Sequence, residues 1–307
     1  MSICVIEDTD NFTRRVVIAL FDDFTDQQIK TQETVINLVQ GGSGDPVLLL
    51  HGYPQTHVCW HRLAPILAER FMVVYPDLRG YGDSGKPPSD PEHLAYSKRV
   101  MAGDQVEVMQ SLGFREFAVV GHDRGARVAH RMALDHAEKV SKVALLDIIP
   151  TRTAFANVDK EIATAAFNWF FSIQPDDLPE RLIGAEPAFY LRWLLEHWSD
   201  TKGAFAEEAV TESVRCFDAA VIRATNEEFR AAATIDLVHD EADCEHKISC
   251  PTLLLWSATG MWAEYDVLEI WKSRAEDVQG TALDCGHFLP EEDPQRTAAE
   301  LISFLTQ

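Results

Sequence analysis

Four short apolar runs, Val47–Leu50, Phe71–Tyr75, Phe117–Val120 and Val143–Leu146, recur through the first half of the chain. None alternates apolar with polar positions, so each predicts a strand buried on both faces, as in a parallel sheet. Between them lie helix-like stretches, Trp60–Arg70, Tyr96–Leu112 and Arg124–His136. Thr34–Gln40 reads as a further strand leading into the turn Gly41-Gly42-Ser43-Gly44-Asp45. Strand and helix in alternation predict an α/β fold with right-handed crossovers. The first thirty residues are polar and irregular, and no role is assigned to them.

The alternation stops at Pro150. From Thr151 to about Lys247 the chain is rich in Ala, Glu and aromatics, with helical periodicity and no convincing strand. Strands then resume at Pro251–Trp256 and Val278–Leu283, with helices over Ala263–Ser273 and Asp293–Leu305. The expected organisation is a core in two parts, residues 1–150 and 248–307, with a helical lid over 151–247. A lid so placed covers the carboxyl edge of the sheet, where open α/β sheets bind ligands.

Composition narrows the partners. The 307 residues are 46% hydrophobic and 25% charged, as in one large or two modest globular domains. Against 49 Asp+Glu there are only 27 Lys+Arg, a net charge of −22, which argues against nucleic acid or an anionic membrane as partner. No apolar run approaches the roughly 18–20 residues of a membrane span. The six cysteines form no CxxC pair, so neither a zinc knuckle nor a disulfide framework is expected, and a reducing compartment is the simplest reading. Met1–Asp8 lacks the basic segment and apolar core of a secretory signal, so a cytoplasmic protein is expected.

The chemistry concentrates in Val119-Val120-Gly121-His122-Asp123-Arg124-Gly125-Ala126. This segment follows a buried strand and opens a helix, and its glycines flank Asp123 with the spacing of a nucleophile elbow. A sharp strand-to-helix turn projects the central side chain above the sheet edge, where the helix dipole favours an ionised carboxylate. A carboxylate nucleophile suits attack on a saturated carbon, leaving an alkyl ester that an activated water hydrolyses. Attack on an acyl carbon would give an anhydride, a poor route to ester or amide cleavage. The alternative reading is a glycine-rich turn with an N-capping Asp. Partners for the nucleophile stand where such a sheet would place them. Asp147 ends the next strand and His287 follows the last, an order that assembles nucleophile, acid and base at one edge. His51-Gly52-Tyr53-Pro54 follows the first buried strand, and would set the Tyr53 N–H beside that of Arg124 as an oxyanion hole. His57 and His61 lack the third ligand a catalytic zinc needs, and His239 and His246 lie in an acidic stretch expected to be exposed.

From about Thr34 onward the chain resembles the α/β-hydrolases of the fluoroacetate (haloacetate) dehalogenase family, next to epoxide hydrolases and haloalkane dehalogenases. The stretches that carry the resemblance are Gly121-His122-Asp123-Arg124-Gly125-Ala126-Arg127 and His51-Gly52-Tyr53-Pro54-Gln55. It implies an α/β-hydrolase fold, a mostly parallel sheet flanked by helices with a helical lid. It also implies an Asp123–His287–Asp147 triad, and Arg124 and Arg127 clamping a substrate carboxylate. Two arginines three apart share a face, repel each other and oppose the helix dipole, so an anion between them would offset a cost. The alternative is two solvated arginines on a helix face.

The chain departs from that family in the lid. Ala166-Phe167-Asn168-Trp169-Phe170 keeps the Trp of the family's halide pocket but has Asn168 where a His would stand. Further on, Phe229 takes the place of a Tyr. The plainer reading of Asn168 and Trp169 is a lid helix packing its apolar stripe. The expected activity is hydrolytic dehalogenation of short 2-halocarboxylic acids, with fluoride doubtful as leaving group. An epoxide hydrolase with the same triad is the nearest rival, weakened because Tyr190 is the only tyrosine between Thr151 and Lys247. A non-catalytic binder of small carboxylates on the same fold is a third reading. The partners expected are a small anionic organic substrate and water, with a homodimer allowed and no cofactor or metal.

Overall fold

The computed structural model describes residues 20–21 and 24–307. Met1–Asp8, where a signal sequence was considered, lies outside them. An eight-stranded sheet runs in the order β1-β2-β4-β3-β5-β6-β7-β8. Its strands are β1 (Thr25–Lys30), β2 (Val35–Gly42), β3 (Pro46–Leu50), β4 (Met72–Pro76), β5 (Phe117–His122), β6 (Val140–Leu146), β7 (Thr252–Ser257) and β8 (Val278–Leu283). β1 and β2 pair antiparallel, as do β2 and β4, and the pairs from β4 through β3 to β8 are parallel.

The continuous apolar runs have a physical explanation, because each strand feeds two cores. Leu48, Leu50, Val119, Val143 and Leu145 pack on one face, under the helices Lys98–Ser111 and Arg124–Asp135. Their neighbours Val47, Leu49, Ala118, Val120, Ala144 and Leu146 pack on the other, under Ala64–Ala68 and Pro294–Leu305. With side chains alternating between faces, a sheet covered on both sides needs apolar residues at every position.

Two elements differ from the sequence expectation. Thr25–Lys30, in the stretch given no role, is an edge strand paired along its length with Val35–Gln40. Its residues are mostly exposed, so it carries no apolar run. The helix expected over Trp60–Arg70 is broken into a 3₁₀ turn, His57–Trp60, and a short helix, Ala64–Ala68. Pro65 lies in the first turn of that helix, where its missing N–H costs nothing.

Between β6 and β7 the chain forms eight helices, from Thr151–Ala156 to Ile235–Ala242. They lie over the carboxyl ends of the strands, and Trp169, Ile183, Leu191, Leu194 and Phe229 join the first of the two cores. Among the described residues, no helix is long and apolar enough to cross a membrane. The sheet order reverses at β3, whose successors β4 and β5 lie on opposite sides of it. The crevice above β3 and β5 is therefore the topological switch point, where such sheets bind ligands.

Candidate active site

Asp123 stands at the end of β5 with φ 48° and ψ −115°, a conformation a non-glycine residue adopts only under constraint. Three glycines make the turn possible. A Cβ on Gly121 would lie 2.5 Å from the Ala126 Cα, and one on Gly125 would lie 2.2 Å from the Leu50 carbonyl oxygen. A Cβ on Gly52 would meet the Asp123 Cβ at 2.5 Å. The close approach of three backbone segments thus sets the carboxylate in place.

That carboxylate is not a helix cap, since no N–H of the following helix bonds to it. Its Oδ1 instead accepts the Tyr53 N–H at 2.8 Å, from the loop after β3. Tyr53, expected to supply one half of an oxyanion hole, directs its N–H at the carboxylate. Burial pushes the Asp123 pKa up, but the nearby His287 and Arg124 charges, with the Tyr53 hydrogen bond, hold it below its ordinary value. The group is an ionised carboxylate in a largely desolvated site.

His287 Nδ1 lies 2.6 Å from Asp147 Oδ2, and its Nε2 lies 3.9 Å from Asp123 Oδ2. Asp147, itself at φ 55°, is oriented by the Ser257 N–H, which donates to its Oδ1 at 2.9 Å. With Nδ1–H donated to Asp147, the Nε2 lone pair faces the nucleophile. The distance to Asp123 exceeds a hydrogen bond, so Nε2 can instead serve a water beside that carboxyl. His287 is also held through its backbone: its N–H donates to Trp198 O at 3.0 Å, and its carbonyl accepts His122 Nε2–H at 2.8 Å. Burial lowers the His122 pKa to about 4, so that ring is neutral and structural.

The two arginines have separate fates. Arg124 does not line the cavity above Asp123, and its fork is occupied by Glu228. Nε donates to both Glu228 oxygens at 2.9 and 2.8 Å, and Nη2 to Oε1 at 2.6 Å. Lys98 binds the same carboxylate, and all three groups are buried. A two-arginine clamp is the expectation; in this arrangement a lid carboxylate balances Arg124, and a substrate would have to displace it. Arg127 does line the cavity. It is buried, with Nη1 donating to Thr151 Oγ1 at 2.9 Å and to Ile149 O at 3.3 Å, while its Nε–H has no partner. Burial, and then the charge of Arg124, lower its pKa to about 10, which leaves it cationic at neutral pH.

The cavity measures about 360 Å³ and is lined by Tyr53, Asp123, Arg127, Asn168, Trp169, Phe229 and His287 among others. Asn168 is 1% exposed, and its amide oxygen finds no donor in the protein. Trp169 packs on Phe155 at 5.6 Å, with the Arg127 guanidinium 5.4 Å from its ring. Phe229 meets Tyr53 edge to face at 5.0 Å and carries Arg124 over its face at 4.4 Å. Tyr190 is set beside Tyr53, stacked on Phe217 and off the cavity lining. Asp77, just after β4, is spent on the His57 N–H and ring, Asn37 and the Asp83 N–H. Sequence reasoning missed Glu228, and also His197, Trp198, Asp200, Met261 and Trp262, which complete the wall. His197-Trp198, at the end of an aromatic-rich helix, was the one visible signal among them.

An Asp on a strained elbow, a His–Asp pair beside it and a lid over the switch point are the arrangement of a hydrolase of the α/β class. The sequence pattern of the α/β hydrolase fold matches residues 45–294, and the chain belongs to that family. Within it, the chain is similar to fluoroacetate dehalogenase from Burkholderia sp, 41% identical over 290 residues, which cover 94% of this chain and 95% of the relative. It is 33% identical to a soluble epoxide hydrolase from Corynebacterium sp. (strain C12), over 85% of this chain and 90% of that one. The crystal structure of an α/β hydrolase from Nostoc sp PCC 7120 superposes with a TM-score of 0.92 at 58% identity, covering 93% of this chain and 99% of that one.

Burial lowers the His287 pKa, but the Asp147 hydrogen bond and charge, with Asp123 and Glu292 further off, raise it above the ordinary 6.5. A base must be neutral to act, so activity is expected to rise as pH climbs through a midpoint above 6.5. In Asp147→Asn that support is lost, and the midpoint is expected to move to lower pH while the maximal rate falls. A profile of kcat against pH that stays in place, or moves up, contradicts Asp147 as the partner of His287.

Proposed function

We propose that the protein hydrolyses short 2-halocarboxylic acids to 2-hydroxy acids and halide, through an ester on Asp123. The observation that carries this reading is the pairing in one cavity of the Asp123 carboxylate with the buried guanidinium of Arg127. A buried cation beside a cavity favours an anionic ligand, and a carboxylate offsets it by a charged hydrogen bond. Asp123 Oδ attacks the halogen-bearing carbon, the C–X electron pair leaves as halide, and an alkyl ester remains. His287 Nε2 then takes a proton from water, whose oxygen adds to the Asp123 ester carbonyl. The Tyr53 N–H stabilises the tetrahedral oxyanion, and its collapse, with His287 returning the proton to the departing alkoxide oxygen, releases the 2-hydroxy acid. Asp147 balances the imidazolium.

Arg127 is the substrate clamp in this reading, while Arg124 holds Glu228 and shapes the cavity wall. Asn168 and Trp169 face the halogen from the lid. Phe229 lends that pocket an apolar ring. The epoxide reading is supported by the Corynebacterium relative, but an epoxide oxygen needs an acid as it opens. Among the described residues lining the cavity, the lid supplies no tyrosine for that task.

Two outcomes test the assignment. Arg127→Ala is expected to raise KM for chloroacetate by about 1.5–3 kcal/mol, the worth of a hydrogen bond to a charged group. Chloroacetamide, being neutral, is expected to lose far less, and equal losses for both substrates would make the arginine structural. For the leaving group, fluoride's small radius demands short, strong donors, which a Phe cannot supply and an Asn supplies weakly. Chloroacetate and bromoacetate are therefore expected to turn over faster than fluoroacetate, by on the order of a hundredfold for two weakened contacts. Asn168→His with Phe229→Tyr should recover fluoride release selectively. Brisk fluoroacetate turnover by the unmodified protein would overturn this account of the halide pocket.

A further inference from the structure

Glu292 ends the short helix Leu289–Glu292, five residues after the catalytic base in chain order. Its carboxylate accepts four backbone hydrogen bonds. Oε1 receives the Phe288 N–H at 2.9 Å, and Oε2 receives the Gly286 N–H at 3.0 Å, so the two residues flanking His287 are both bound to it. Oε2 also receives the N–H groups of Asp200 and Thr201, at 2.9 and 3.0 Å, from the loop that leaves the lid helix Pro187–Trp198. The Trp198 carbonyl meets the His287 N–H directly. One side chain therefore ties the loop of the base to the lid segment that supplies His197, Trp198 and Asp200 to the cavity wall.

The contact is built for close approach. A Cβ on Gly286 would lie 2.6 Å from the Asp200 N and 2.8 Å from Glu292 Oε1, so only glycine lets the two loops meet. The same lid loop is held from a second side, where Thr259 Oγ1 donates to Asp200 Oδ2. Thr259 N–H in turn donates to Ser257 Oγ, and Ser257 N–H to Asp147. His287, Asp147 and the lid loop are thus joined in one closed circuit of hydrogen bonds, with Glu292 as its most connected member.

We infer that Glu292 is a positioning residue that latches the lid to the base, so that His287 is aligned for water activation only while this side of the lid is closed. The inference rests on the proposed ester chemistry, in which His287 acts in the second step and not in the first. Lid motion that admits substrate or releases product would break the Asp200 and Thr201 bonds and loosen the loop carrying the base. Water activation is then confined to the closed state. A carboxylate has about four acceptor positions, and here Oε2 takes three donors and Oε1 one. Glutamine can set its one acceptor oxygen at the Oε2 position, but its NH2 then faces the Phe288 N–H and the remaining bonds lose their charge. Glu292→Gln therefore keeps the size of the side chain and weakens the latch.

Rapid-quench analysis of Glu292→Gln with chloroacetate separates the two steps. Ester hydrolysis is expected to slow by at least about tenfold, the loss of one charged hydrogen bond, while ester formation changes by less than about threefold. The esterified protein then accumulates and is read by intact mass. Loss of the negative charge that helps raise the His287 pKa should also move the acid limb of kcat to lower pH. Equal slowing of both steps, or no slowing, overturns the latch and leaves the ester chemistry standing. Failure of the unmodified protein to form an ester overturns both. Amide exchange in the unmodified protein provides a check independent of the variant's folding. Residues 200, 201, 286 and 288 are expected to open with one common protection, and widely different protection at the two loops overturns the latch.

Discussion

The site depends on one strained residue. Asp123 is held at φ 48° by the crossing of β5, the loop after β3 and the helix that begins at Arg124. Strain of this kind costs about 1–3 kcal/mol and persists only where the surroundings leave no alternative. Here the alternative is closed off by backbone contact, since Gly121, Gly125 and Gly52 each sit where a methyl group would collide with the neighbouring segment. The two cores on either face of the sheet fix those segments, and that rigidity is what a nucleophile aimed at carbon requires. The strain also keeps the carboxylate off the helix N–H groups, leaving Tyr53 as its backbone donor.

Charge is organised around the same point. The protein carries a net charge of −22, which repels an anionic substrate at long range, so recognition has to be local. The buried groups Lys98, Arg124, Arg127 and Glu228, with the half-buried Asp123, form a nearly balanced set beside the cavity. Removing one member of such a set is far more disruptive than its net contribution suggests, because an uncompensated charge is left behind. Glu228 pairs with Arg124, while Arg127 lines the cavity. The Asp123 charge is offset chiefly by His287 and Arg124.

Features fixed by local spacing were legible in the sequence. The strands of the parallel sheet were visible as continuous apolar runs because both faces are covered. The elbow was visible because the steric demands of the turn dictate glycine at fixed offsets. Asp147 and His287 could be picked out because each follows a strand at the same edge. The edge strand Thr25–Lys30 was not legible, since one flank and most of its side chains meet water. Nor was the fate of Arg124, because Glu228 lies 104 residues away and reaches it only through the packing of the lid. Glu292 escaped notice for the same reason, as its lid partners Asp200 and Thr201 lie on a loop that no local pattern connects to it.

The central claim is that Asp123 itself becomes esterified and is then regenerated by water. It is tested most directly by a single turnover of chloroacetate in heavy-oxygen water with enzyme in excess, followed by mass analysis of the product and of the peptide containing Asp123. Water attacks the ester carbonyl in this account, so the label is expected in the Asp123 carboxylate, and the first-formed glycolate is expected to carry none. Label in the glycolate from the first turnover, with Asp123 unlabelled, would mean that water attacks the substrate carbon directly, and the carboxylate would not be the nucleophile.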